Sequence, residues 1–327
     1  MATMKHIPMA GAQEKPGTQE INHTVGITNR PKCLDDFIGQ DDIKRVVNVA
    51  MSSSRQAGHP LGHILFSGSS GFGKTTLAQL IAHQQGGRFH QITGYALSKP
   101  SELISLLHTL QSQDFLFIDE IHRLKATLEE VLYIAMEDYC VDMMLPDGSN
   151  IRLSLPPFTL LGATTKPESL STPLKNRFIY KFHLQPYTPH DIDMLVTRYL
   201  SSVSIQTDSP TLQDIAHHVV PVPREIANFC RMIKDYLIVS VGNLPSHLLD
   251  YRLWQDFLGR SKTQKGGLGT LHLQYLLVLQ QADGKAVGLK TLATHLGVHP
   301  DALETDIEPH LVKLGKIEKT PQGRKLL

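Results

Sequence analysis

One octapeptide constrains this chain more than any other feature. Residues 68–75 read GSSGFGKT, an instance of G-x-x-x-x-G-K-T, directly after the apolar run HILFS at 63–67. Helical periodicity follows over 75–85. Strand, glycine-rich turn and helix, in that order, are what phosphate binding requires. Glycines let the backbone bend so that its N–H groups surround phosphate oxygens. The first turn of the following helix adds partial positive charge. On this reading Gly71 and Gly73 shape the loop, Lys74 reaches the β- and γ-phosphates of ATP, Thr75 ligates Mg2+, and Thr76 lies beside them.

A second motif completes the chemistry. FLFIDE at 115–120 is four apolar residues delivering two acids to a strand end. Ligands of open α/β sheets bind at that end. Asp119 is expected to hold Mg2+ and Glu120 to orient and deprotonate the attacking water. A third apolar run, 158–161, leads into GATT at 162–165, where a threonine hydroxyl can sense the γ-phosphate or position the water. Helical spacing over 101–111 and 128–137 alternates with these runs, so the spacing predicts an α/β fold with a parallel sheet. Residues 34–38 and 43–51 also carry helical spacing. Residues 141–157 alternate around Asp147-Gly148, a hairpin signal. Arg177 follows the last core strand, and Arg224 opens a helix farther on. Either suits a phosphate, and either alone is an ordinary surface charge.

A chain of 327 residues exceeds one compact core and divides into several domains. The expected division is a flexible polar tail (1–21), the nucleotide-binding domain (22–184), a mostly helical lid (185–260), and a linker with a winged helix (261–327). The last part reads as helices over 271–281, 289–296 and 302–314, then a two-stranded wing around PQG at 321–323. No run of about 18 apolar residues is present, and residues 1–20 lack a secretory signal's apolar stretch. Three widely spaced cysteines make neither a metal site nor a disulfide framework. A cytoplasmic protein without membrane contact is expected.

Together these stretches resemble the RuvB family of Holliday-junction branch-migration AAA+ ATPases. RPKCLDDFIGQ at 30–40, DEIHRL at 119–124, MEDY at 136–139, LPPFT at 155–159, GATT at 162–165 and TPQGR at 320–324 carry the likeness. It implies a P-loop AAA+ core, a helical lid and a winged-helix domain. It also implies a homo-hexameric ring on double-stranded DNA that acts on four-way junctions with a RuvA-type partner. Carried over residue by residue, Arg30 and Ile38 hold the adenine, with Pro31 and Phe37, and Tyr187 lies beside it. Thr165 becomes sensor 1, Arg177 the arginine finger of a neighbouring subunit's site, and Arg224 sensor 2. Val141, Met143 and Leu145, two apart and so on one strand face, fall on the partner-binding hairpin.

The chain departs from the family at SS (69–70), where Pro-Pro is usual, at LKNR (174–177) and at PVPR (221–224), sparing every inferred catalytic residue. The net charge of +1 makes DNA binding a local matter. Lys319, Arg324 and Lys325 on the wing, with Lys313 and Lys316 before them, are the expected phosphate contacts. An AAA+ ATPase remodelling another DNA or protein substrate is the competing reading.

Overall fold

Consecutive apolar residues become the centre of a sheet. A computed structural model describes residues 30–144 and 150–327. The tail, Leu145 and the Asp147-Gly148 turn lie outside the described residues. The strands of the first part are β1 (Ile64–Ser67), β2 (Phe89–Thr93), β3 (Phe115–Asp119), the hairpin β4 (Cys140–Met144) and β5 (Asn150–Ser154), β6 (Thr159–Thr164) and β7 (Tyr180–His183). Five of them form a parallel sheet in the order β2-β3-β6-β1-β7. The three inner strands are the three apolar runs of the sequence, buried on both faces as parallel strands require. The two edge strands, β2 and β7, mix polar with apolar residues and so lack the continuous apolar run that marks the inner three.

The strand order places the chemistry. β6 lies between β1 and β3, so the loop after β1, the acids ending β3 and the hydroxyls ending β6 meet at one sheet edge. Side chains alternate between two cores. Ile64, Phe66, Phe117 and Leu161 face α1 (Asp41–Ala57) and α2 (Lys74–Gln85). Leu65, Leu116, Ile118 and Leu160 face α3 (Pro100–Thr109), α4 (Ala126–Asp138) and α5 (Thr172–Arg177). Residues 34–38 form a turn rather than a helix; it sets Leu34, Phe37 and Ile38 into the first core.

The second part comprises α6 (Pro189–Ser202), β8 (Ile205–Thr207), α7 (Ser209–His218), α8 (Pro223–Val241), β9 (His247–Leu249) and α9 (Tyr251–Ser261). Thr188, Asp208 and Asp250 cap α6, α7 and α9 with their side chains. Leu195, Ile226, Phe229 and Trp254 join the same core as α1 and α2, so this part packs directly on the sheet.

The last part has α10 (Thr270–Gln281), α11 (Leu289–Leu296), a broken third helix, and the wing β10 (Ile317–Thr320) and β11 (Gly323–Leu326). The third helix is α12 (Pro300–Ala302), a π turn over Leu303–Ile307, and α13 (Glu308–Lys313). Pro309 has no N–H to close a regular turn there, which accounts for the break. No described helix is long and apolar enough to cross a membrane.

Two of the expected site residues need correction. Val141 is 2% exposed and packs with Leu155 and Phe158 in its own domain, so it offers no surface to a partner. The hairpin itself forms, with Met143 opposite Ile151, and Ile151 is exposed. Arg324, expected on DNA, is turned inward. Its guanidinium donates to both Glu308 oxygens, at 2.8 and 3.1 Å, and to Glu304 at 3.1 Å. Lys319 pairs with the same Glu308 carboxylate at 2.6 Å. Lys325 is exposed.

Candidate active site

The nucleotide loop needs its glycines. Gly68, Gly71 and Gly73 have φ of 133°, 79° and 100°, a region favouring residues without a side chain. A Cβ on Gly71 would lie 2.7 Å from Val222, and one on Gly73 would lie 2.8 Å from the Phe37 ring. The loop is braced from behind. Tyr187, 7% exposed, donates its hydroxyl to the Phe72 carbonyl at 2.9 Å and meets the Phe72 ring edge-on. Burial holds the Tyr187 hydroxyl far above its ordinary pKa, so it stays a neutral donor.

Loop, sheet edge and second part enclose a cleft of about 550 Å³. Arg30, Pro31, Phe37 and Ile38 line one side; Gly71, Gly73, Lys74, Thr75 and Thr76 line the floor. Asp119 and Glu120 enter from β3, Tyr187 from behind the loop, and Arg224 from the first turn of α8. Each nucleotide-binding residue expected from sequence therefore borders one cavity.

Lys74 is buried, and its ammonium donates to the carbonyls of Gly68 (2.8 Å) and Ser69 (3.0 Å). Burial lowers its pKa, the Glu120 and Asp119 carboxylates oppose that, and Arg224 adds to the lowering. Thr75 donates its hydroxyl to Asp119 Oδ2 at 3.4 Å. Two hard oxygen donors thus converge, which suits a magnesium ion whose remaining ligands are phosphate and water. Thr165 does not border the cleft but donates to Glu120 Oε2 at 3.2 Å, so it touches the cleft's acid.

Three polar lining residues were not read from the sequence: Arg198, Tyr199 and Arg231. Arg198 donates to the Asp36 carbonyl and ties α6 to the segment before α1. Arg231 had a signal. With Arg224 and Ala227 it recurs at spacings of three and four on α8, one helix face. Among the described lining residues, five cations (Arg30, Lys74, Arg198, Arg224, Arg231) face two carboxylates (Asp119, Glu120). That excess suits a triphosphate.

Arg177 stands apart. It ends α5, pairs with Glu137 of α4, lies 6.0 Å from the Tyr133 ring, and does not line the cleft. Within one chain it reaches no nucleotide.

Comparison with known proteins agrees with this geometry. Residues 29–184 match the family model described as the Holliday junction DNA helicase RuvB P-loop domain. Residues 265–326 match the RuvB C-terminal winged helix domain. The chain is 36% identical, over 91% of its length and 86% of the relative's, to the Holliday junction branch migration complex subunit RuvB of Paramagnetospirillum magneticum. Its fold matches the Thermotoga maritima RuvB Holliday junction branch migration motor with a TM-score of 0.77, at 32% identity, covering 91% of this chain and 95% of that one. A point mutant of the Thermotoga protein matches with a TM-score of 0.78 at 32% identity, over 91% of this chain and 96% of that one.

Proposed function

The chain belongs to the RuvB family, and from that premise we propose that it hydrolyses ATP to drive branch migration of four-way DNA junctions. The observation that carries this is the convergence of Lys74, Thr75, Asp119 and Glu120 on one cationic cleft at the carboxyl edge of the sheet. The reading keeps the parts 22–184, 185–260 and 261–327 as core, lid and winged-helix domain. It takes the working form to be a homo-hexamer around duplex DNA, loaded at a junction by a RuvA-type partner.

In this mechanism the cleft's apolar side, Pro31, Phe37 and Ile38, takes the adenine, and Arg30 closes over it. The loop N–H groups and Lys74 hold the β- and γ-phosphates. Thr75 and Asp119 would hold Mg2+, which neutralises charge on those phosphates when bound. Glu120 orients the attacking water and accepts its proton. Thr165, hydrogen-bonded to Glu120, links that base to β6 as sensor 1. Arg224 joins the lid to the phosphates as sensor 2. Arg177, at the end of α5 and outside its own cleft, acts on the neighbouring subunit's nucleotide as the finger. The winged helix meets duplex phosphates through Lys325 and the exposed face of Lys319. Arg324 supports that surface through Glu308 rather than touching DNA.

Steady-state ATP turnover tests the reading, measured on the chain alone, with linear duplex, and with a four-way junction plus RuvA. Stimulation by duplex, and further stimulation by the junction complex, is the expected result. Turnover indifferent to DNA would leave an ATPase acting on another substrate.

A further inference from the structure

Glu120 has a partner outside the set just described. We propose that His122 is a positioning residue for the base, its ring set against the Glu120 carboxylate and anchored by the hydrogen bond of Nδ1 to Thr164 at the end of β6. This rests on Glu120 being the base.

Glu120 adopts the left-handed conformation, φ 47° and ψ 47°, which a residue with a side chain keeps only where its surroundings hold it. The 3-10 turn Ile121–Arg123 follows at once and folds His122 back over the strand end. There His122 Nδ1 lies 3.1 Å from Glu120 Oε2 and 2.9 Å from Thr164 Oγ1. The His122 side chain is 9% exposed, so water competes little for these contacts. An ionised carboxylate only accepts, so a proton on Nδ1 makes its 3.1 Å approach to Oε2 favourable, while the aligned hydrogen bond of Nδ1 is the one to Thr164. Thr164 in turn accepts the Lys166 N–H at 2.9 Å, which fixes its hydroxyl oxygen.

Two side chains meet the same Glu120 oxygen, Oε2: the Thr165 hydroxyl as a hydrogen-bond donor and His122 Nδ1 as a close polar neighbour. Held by that oxygen, the carboxylate keeps Oε1 for a water's proton. A general base works only in hydrogen-bond reach of the proton it takes, and a misplacement of about 1 Å can cost about 10²-fold in rate. Thr165 alone gives one anchor and leaves the carboxylate free to swing about it. His122 supplies a second anchor from another direction.

The test uses the full chain with ATP, Mg2+ and duplex DNA. His122→Ala is expected to lower kcat by about 10- to 100-fold while leaving the ATP dissociation constant and the melting temperature unchanged. His122→Asn, whose side-chain N–H falls near the position of Nδ1, is expected to recover most of the loss. In single turnover, adding His122→Ala to Glu120→Gln is expected to cost nothing more. Unchanged kcat in His122→Ala overturns the proposal. So does a His122→Asn variant as slow as His122→Ala, or a full additional loss on the Glu120→Gln background. The two readings fail separately. Normal hydrolysis by Glu120→Gln removes the base assignment itself. An inactive Glu120→Gln beside a fully active His122→Ala removes only the role of His122.

Discussion

At the scale of single residues, charge inside a partly closed cleft decides the outcome. Lys74 pays for burial with loop carbonyls and two nearby carboxylates, and a triphosphate would replace the carbonyls as its partner. Removing one member of such a desolvated charge pair costs about 2–5 kcal/mol. Lys74→Ala should therefore weaken ATP binding at least about 30-fold, read by titration with a fluorescent nucleotide; wild-type affinity would deny Lys74 its phosphate role. Arg177 makes the opposite prediction. Since it borders no nucleotide in its own chain, Arg177→Ala should bind ATP normally yet lose about 10³–10⁵ in turnover once rings assemble. Normal turnover in that variant would end the finger assignment. The sequence made both residues visible, but only the fold sets Arg177 apart from the cleft, paired with Glu137 at the end of α5.

At the scale of elements, buried titratable groups join strands to helices. His63, just before β1, accepts the Leu160 N–H at Nδ1 (2.9 Å) and donates from Nε2 to the Met136 carbonyl (3.1 Å). Burial, the largest cause, pushes its pKa from 6.5 down to about 4, partly offset by the Met136 hydrogen bond. Between those values the unfolded chain binds more protons, so the stability His63 protects is complete above pH 6.5 and is lost as pH falls toward 4. The thermal midpoint of the core should drop across that window, with about 3 kcal/mol at stake, and His63→Leu should flatten the decline; an unchanged slope would refute the assignment. The third helix of the winged-helix part holds a second such group, Glu308 at the start of α13. Burial alone would raise the Glu308 pKa, but hydrogen bonds from Arg324, Lys319 and Tyr275 outweigh it and lower the value below 4.5. Its contribution therefore persists above pH 4.5 and disappears as pH falls through the lowered value. Arg324→Ala strips a buried carboxylate of its main partner and should destabilise the winged helix by about 3 kcal/mol, seen as an earlier melting transition. A winged helix that melts unchanged would return Arg324 to the surface role read from sequence.

At the scale of the whole molecule, the winged helix rests on the nucleotide loop. Lys313 of α13 lies 5.4 Å over the Phe72 ring. Gly266 donates to the His217 carbonyl at the end of α7 (2.7 Å), and its own carbonyl meets His310 Nε2 at 2.6 Å. Gly267, at φ 71°, leaves no room for a side chain; a Cβ would lie 2.5 Å from Val220. Gly267→Val should push the winged helix off the lid, keeping basal ATP turnover and losing its stimulation by duplex. Full stimulation in that variant would mean the contact carries no signal between DNA and nucleotide.

The sequence by itself determined the parts whose chemistry is contiguous. The loop GSSGFGKT, the strand FLFIDE and the three inner strands were legible because glycine freedom, unbroken apolar runs and a pair of terminal acids act within one strand-turn-helix unit. The tertiary structure alone decided which distant groups meet. Setting β6 between β1 and β3 brought Thr165 onto Glu120 and Thr164 onto His122, and packing the lid on the α2 face brought Arg198 and Arg231 to the cleft. Local packing in each part turned Val141 into the core and Arg324 onto Glu308, where the family resemblance had the first facing a partner and the run of basic residues had the second facing DNA. A strand's alternation defines two faces without saying which is buried, and a lysine or arginine is surface charge until a buried carboxylate folds against it.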